Sequence, residues 1–319
     1  MRRNLYLLLI ILALLVIIAL IMERPFGRGR KKEELALFPG FDRAKVEKIE
    51  ITENGETVEL KREGDEWVVS TAKGYPADNI AVNRMFDEMD EMTSKELISE
   101  NPDKHPKFKV NKDGIEVKML DKEGKTVAHF FVGKIGPDYI STYVRRADSK
   151  KVYLIPRTLR PVFGKGKTGW CDKEVISFNI DDVSQIDLED SGTSISLKRM
   201  EKGWEMTKPE KTEADKDAVE QILRTLSSFK ADDVEIERGE IECGLDVPSS
   251  KVTIKLKDGT EKILLFGKEK NNRRYLKAEG KDQIFMLYKY RIKKIFKKPE
   301  DLKAKKEVEN EKTDGEKGK

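Results

Sequence analysis

A stretch of 52 residues occurs twice in this chain, and the repetition constrains the fold more than any other feature. Residues Phe41 to Met92 return without a gap 137 positions later as Phe178 to Phe229. Trp67 falls on Trp204, Gly55 on Gly192, Leu60-Lys61-Arg62 on Leu197-Lys198-Arg199, and Ala77-Asp78 on Ala214-Asp215. Twelve of the 52 positions are identical, where unrelated sequences of ordinary composition give about three. The 319 residues therefore read as two copies of one unit. The spacing matches a usual domain length of about 100–150 residues, so each copy can bury its own core.

Within each copy the apolar spacing changes from period two to the helical period and back. Val46 to Glu53 places Ile49 and Ile51 on one face, and Val58 and Leu60 resume the alternation after Asn54-Gly55. Asn-Gly between alternating runs predicts a hairpin, because both residues tolerate the positive φ of a type I′ turn. Gly64-Asp65 turns the chain into a strand carrying Trp67 and Val69; recurrence as Trp204 makes Trp67 a core anchor rather than a ligand platform. Asp78 then caps a helix whose stripe is Val82, Met85, Phe86, Met89 and Met92. The second copy has Val219, Ile222, Leu223, Leu226 and Phe229 there, which favours packing over an adaptable methionine groove.

After a polar loop from Ser99 to Lys107, the first copy continues as a meander. Its strands are read at Ile115 to Met119, Val127 to Val132, Tyr139 to Val144 and Val152 to Ile155, with a short helix at Leu159 to Phe163. The second copy repeats this order at Val252 to Leu256, Ile263 to Phe266, Tyr275-Leu276 and Ile284 to Leu287. The expected fold class is α+β. An N-terminal transmembrane helix precedes two tandem, homologous modules, each an antiparallel β-meander with one amphipathic helix inserted.

The transmembrane expectation rests on 18 consecutive uncharged, almost wholly aliphatic residues from Leu5 to Met22. As a helix they span roughly 27 Å, close to the hydrocarbon thickness, which makes the lipid bilayer a partner. No small-x-small cleavage site follows, and no cysteine stands just after the run as a lipid acceptor. Arg2 and Arg3 favour a cytoplasmic amino terminus, whereas Arg24, Arg28, Arg30, Lys31 and Lys32 pull the other way. The chain accordingly divides into a cytoplasmic end and transmembrane helix (1–23), a linker (24–40) and the first repeat (41–163). A Gly- and Lys-rich inter-repeat linker around Trp170 (164–177), the second repeat (178–296) and a Lys/Glu tail (297–319) follow. The tail is expected to be disordered for want of apolar residues.

Charged residues make up 38% of the chain while the net charge is only +4, so both signs share the same segments and no nucleic-acid face is expected. Cys171 and Cys243 are too few for a disulfide scaffold or a cysteine-rich zinc site; they read as buried thiols, with a single bridge open in an oxidising compartment. His105 lies in a proline-flanked loop and His129 in a strand, aligned with Leu264 of the second copy; neither has a partner at ligand spacing. Gly166-Lys167-Thr168 looks like the end of a phosphate-binding loop, but Pro161 stands where the first glycine should be, and no long helix follows. Nucleophile elbows and dinucleotide turns are absent from the sequence. The sequence therefore offers no catalytic, cofactor-binding or metal-ligating residue and no cofactor, and the chain is expected not to be an enzyme.

In the order of these features the chain resembles the bacterial family described as domain of unknown function 4340. The resemblance rests on the apolar amino-terminal run, the Val46-x-x-Ile49-x-Ile51 strand, the turn ending at Trp67 and the Ala77-Asp78 helix start. It also rests on the Cys243-Gly244-Leu245-Asp246 turn, replaced in the first copy by Phe108-Lys109-Val110-Asn111, and on the Phe266-Gly267-Lys268 strand end. It covers the chain from Phe41 to Phe296 and implies a membrane-anchored protein with its soluble part outside the cytoplasmic membrane. It further implies association with ABC-type transporters similar to gliding-motility auxiliary components, and it brings no catalytic residues. The resulting expectation is a single-pass envelope protein whose modules form an interaction surface for ABC transporter subunits. The alternatives are a solute-binding or enzymatic protein with a pocket between the repeats, and a structural envelope protein.

Overall fold

The computed structural model describes residues 35–94 and 96–304. The apolar run at residues 5–22, and the transmembrane helix expected there, lies outside them. Among the described residues no helix is long and apolar enough to cross a membrane.

The first module opens with β1 (Leu35–Ala36) and β2 (Lys48–Glu53), in which Ile49 and Ile51 are buried between half-exposed neighbours. Asn54 and Gly55 take φ of 54° and 82°, the two positive values of the expected turn. β3 (Glu56–Glu63) returns with Val58 opposite Ile51, and β4 (Glu66–Val69) and β5 (Tyr75–Pro76) follow. Helix α1 (Asn79–Asp90) starts at Asp78, whose carboxylate accepts the backbone N–H groups of Ile80 and Ala81. Its Val82, Met85, Phe86 and Met89 are all buried, as a helical stripe facing a core should be. β6 (Thr93–Ser94), β7 (Glu96–Ser99) and the short helix α2 (His105–Phe108) come next. The meander is β8 (Ile115–Leu120), β9 (Thr126–Ile135), β10 (Thr142–Arg146) and β11 (Val152–Ile155), followed by α3 (Arg160–Phe163).

Nine of these strands form one antiparallel sheet in the order β5-β4-β3-β2-β8-β9-β10-β11-β7, while β1 pairs with β6 separately. This order forces α1 to carry the chain from the β5 edge to the β7 edge, so the helix lies over one face of the sheet and closes the core.

The second module repeats every step. Its elements are β12 (Glu174–Ser177), β13 (Val183–Asp190), β14 (Thr193–Met200), β15 (Gly203–Lys208), β16 (Thr212–Ala214) and α4 (Lys216–Leu226). β17 (Ser228–Lys230), β18 (Asp233–Glu235), α5 (Glu240–Cys243), β19 (Ser250–Leu256), β20 (Glu261–Lys270), β21 (Arg273–Ala278), β22 (Ile284–Tyr288) and α6 (Lys289–Ile295) complete it. The sheet order β16-β15-β14-β13-β19-β20-β21-β22-β18 matches the first strand for strand. The duplicated α+β architecture is therefore present, and Trp67 and Trp204 are both buried in it.

Three expectations need correction. The region read as a polar loop before β8 contains a helical turn and α2, and just ahead of it the edge strand β7 pairs with β11. An edge strand held by one neighbour needs no regular apolar face, so its sequence carries little signal. The inter-repeat linker is not a linker. Trp170 is fully buried, its carbonyl accepts the Asp78 N–H at 2.8 Å, Cys171 bridges to Ala77, and Asp172 donates to the Pro76 carbonyl at 2.8 Å. Residues 164–172 thus form a strap that returns the chain to the β5 edge.

The second module closes in the same way, which corrects the disorder expected of the tail for residues 297–304; residues 305–319 lie outside the described residues. Pro299–Leu302 is a 3-10 turn, Leu302 is fully buried, its carbonyl accepts the Asp215 N–H at 2.8 Å, and Lys303 bridges to Ala214. One leucine supplies the anchor that the surrounding lysines and glutamates conceal in any compositional average. Leu37, within the segment read as the first linker, is likewise buried. The modules run 35–172 and 173–304, and a connected cluster of buried apolar residues extends through both.

Candidate functional site

A pocket between the repeats would need polar groups from both modules around an open space. The polar groups are there. Tyr75, buried at the β5 edge, donates its hydroxyl to the Glu235 carbonyl of the second module at 3.4 Å. The Glu235 carboxylate is buried and accepts the Glu237 and Arg238 N–H groups at 2.8 and 3.2 Å, the Arg238 guanidinium at 3.0 Å and the Tyr275 hydroxyl at 3.3 Å. Burial by itself pushes this carboxyl up, but the two backbone N–H groups and Arg238 outweigh it and hold it below the usual glutamate value. Cys243 lies beside the cluster with its thiol pushed up to about 11, mainly by burial and then by the charge of Glu235. Lys167 reaches Glu237 at 3.0 Å and Lys281 donates to the Glu174 carbonyl at 2.6 Å, both outside the cluster.

These groups satisfy one another, and five cavities of about 270–400 Å³ among the described residues are each lined from one module alone.

A second charged cluster sits at the hairpin end of β13. Arg274 is buried and donates to the Gly267 carbonyl at 2.9 Å and to the Ser249 and Ser250 hydroxyls at 2.7 and 2.6 Å. Its other nitrogen lies 3.8 Å from Asp190, which also accepts the Ser250 hydroxyl, and a cleft of about 320 Å³ opens beside them. A nucleophilic serine needs a free lone pair and a base that can take its proton. Ser250 is 3% exposed, accepts from Arg274 and donates to Asp190, so burial closes its oxygen to an incoming substrate.

The first module builds the same corner from other residues. Arg160, at the start of α3, donates to the Gly133 carbonyl at 3.1 Å and pairs with Glu53 at 2.6 Å. Gly133 and Gly267 are equivalent by their setting: an added Cβ would meet the Phe108 carbonyl at 2.3 Å in one and the Cys243 carbonyl at 2.2 Å in the other. Where one module supplies the guanidinium from a helix and the other from β21, the requirement is for a charge that ties the glycine carbonyl to the hairpin carboxylate. That is a structural duty.

The residues singled out in the sequence scatter over this frame. His105 is half-buried, with Nε2 3.0 Å from the Lys150 carbonyl, and His129 pairs with Glu116 at 2.7 Å across β8 and β9. The sheet register corrects the twin of His129 by one position. Val117 faces Phe130 and Val252 faces Leu264, so Leu264 matches Phe130, and His129 matches Ile263. Gly166 to Thr168 belong to the strap and lead to Trp170 rather than to a helix. Cys171 and Cys243 are both free and buried, and the described residues hold no group of His, Cys, Asp or Glu suited to a metal. Tyr75, Glu235, Arg160 and Arg274 were missed by sequence reasoning. The available signal was chemical mismatch between twins: Tyr75 aligns with Thr212, and Arg274 with Thr142.

Fold and clusters together define a tandem α+β repeat protein whose two modules share one apolar core. The chain belongs to the family described as Domain of unknown function (DUF4340), whose model matches residues 67–242 and again 204–316. The two matches begin on Trp67 and Trp204, one repeat period apart. No curated protein and no solved structure matches the chain.

Proposed function

We propose that this chain is a non-enzymatic, single-pass membrane-anchored protein whose paired modules form an extracytoplasmic interaction surface, acting as an accessory to an ABC-type transport system. The observation that carries the proposal is the shared core. Two modules whose buried apolar residues form one cluster, with the polar groups of Tyr75, Glu235, Arg238 and Tyr275 satisfying one another where they meet, offer a rigid outer surface, and the apolar run at residues 5–22 offers a tether to a bilayer. Polar groups paired with one another in this way count against a solute receptor of the two-lobed kind, which needs a cleft lined from both lobes.

Affinity purification of the full chain from membranes at native expression tests the proposal. Recovery of a transporter permease or ATPase is expected, and repeated recovery of the chain alone overturns it. Orientation is tested separately by a periplasm-active reporter fused after residue 304; activity only of a cytoplasmic reporter reverses it.

A further inference from the structure

The duplication makes one corner of the first module stand out. In the second module β20 and β21 are joined by two residues, Asn271 and Asn272, both at positive φ. In the first, residues 136–141 join β9 to β10 and carry Tyr139 and Ile140, which are 83% and 64% exposed. Tyr139 stands at φ 63°, a left-handed conformation that strains an L-residue. The loop holds it there. The Asp138 carboxylate accepts the N–H groups of Ile140 and Ser141 at 3.2 and 2.9 Å, and Thr158 donates to the Ile140 carbonyl at 3.2 Å. Gly136 packs so tightly that a Cβ there would lie 2.0 Å from the Ser141 hydroxyl and 3.0 Å from the Leu154 side chain. A loop fixed in this way, with two large apolar side chains aimed at solvent, buries nothing within its own chain.

The described chain begins beside β11, the strand next to the one this loop leads into. Leu35 pairs with Ser94, Ser94 donates to the Leu154 carbonyl at 2.8 Å, and Leu154 is the residue under Gly136. Leu35 itself is 54% exposed, and so is 42% of Ile135, where the loop leaves β9. Only 13 positions separate Leu35 from Met22, a tether that reaches at most about 45 Å. The second module has neither loop nor tether, since its first strand continues directly from the strap.

We propose that the Tyr139–Ile140 loop docks into the interfacial layer of the lipid bilayer and seats the first module beside its own anchor; this rests on the membrane-anchored reading above. An amphipathic tyrosine ring suits the headgroup level, and an isoleucine beside it suits the acyl boundary. Asp138 is engaged by the loop's own N–H groups, so its charge braces the tip.

The test uses the full chain in phosphatidylethanolamine–phosphatidylglycerol vesicles, with a nitroxide on Ile140→Cys or, separately, on Lys270→Cys at the equivalent corner of the second module. Cys171 and Cys243 are buried and stay unlabelled. Both new sites are exposed, so an unchanged circular dichroism spectrum is expected. Docking predicts that dissolved oxygen relaxes the label at 140 severalfold more than a water-soluble nickel chelate does, with the preference reversed at 270. A label at 140 as open to the chelate as the one at 270, or shielded from both reagents by a second copy of the chain, overturns docking. Alkaline carbonate extraction of the same vesicles separates the two ideas. A chain that resists extraction with a water-exposed label keeps its anchor and loses docking, whereas a chain that washes out loses both.

Discussion

Trp170 and Leu302 occupy one structural position: the carbonyl of each accepts, at 2.8 Å, the backbone N–H of the aspartate that caps its module's helix, Asp78 or Asp215. The two are 132 residues apart rather than 137, and an indole stands where the other module has an isobutyl group. Each fastens the end of its module to the start of its helix.

Truncating either anchor should therefore destabilise the whole pair. Trp170→Ala is expected to cost about 3–5 kcal/mol and Leu302→Ala about 2–5 kcal/mol, both shifting one shared guanidinium transition because the cores are continuous. The Trp170 indole N–H has no hydrogen-bond partner among the described residues, so Trp170→Phe should cost much less than Trp170→Ala. Equal losses in the two variants would show that the N–H has found an acceptor.

The helix caps should be worth a comparable amount in both modules. Asp78 accepts two backbone N–H groups and Asp215 one, so Asp78→Ala and Asp215→Ala are each expected to cost about 0.5–2 kcal/mol. Thermal melts read the loss, and a neutral result at Asp78 would mean that the strap alone fixes the helix start.

Glu235 gives the junction a pH dependence of known sign. Its carboxyl titrates below the usual value of about 4.3, so its contribution is complete above that value and disappears as pH falls through the lowered folded one. Glu235→Gln should lose about 1–3 kcal/mol at neutral pH, and the gap to the parent should close in acid. An equal gap at pH 7 and at pH 3 would falsify this account.

Lys109 sits at φ 54° where the second module has Gly244 at 67°. Because an L-side chain is strained there, Lys109→Gly should stabilise the first module by about 1 kcal/mol. Denaturant midpoints decide the sign.

Both thiols should be silent in the native protein. Burial pushes Cys171 and Cys243 up to about 11, so at pH 8 a thiol reagent should label neither until denaturant is added and both thereafter. Rapid labelling of either in the folded chain would expose an opening motion at the strap or the junction.

The sequence conveyed the sheet centres, the hairpin turns and the helix, because each depends on spacing within about ten residues. Asn54-Gly55, Asp78 and the stripe from Val82 to Met89 are of this kind. It did not convey β7, β18 or the straps, whose places depend on distant partners: Glu96 to Ser99 become a strand only because β11 is alongside, and Leu302 only because Ala214 and Asp215 wait for it. The charged clusters were equally hidden. Arg160 and Arg274 reach equivalent glycine carbonyls, Gly133 and Gly267, from unrelated positions, so comparison at a fixed period could not pair them.

The straps decide how the molecule carries load. Trp170 is wedged under one sheet and Glu174 begins pairing in the next, with no slack between them. A displacement of the second module reaches the edge of the first sheet through that segment and through the shared core, as along a lever arm. Beads on a string would lose such a displacement in their linker, whereas these two modules share it.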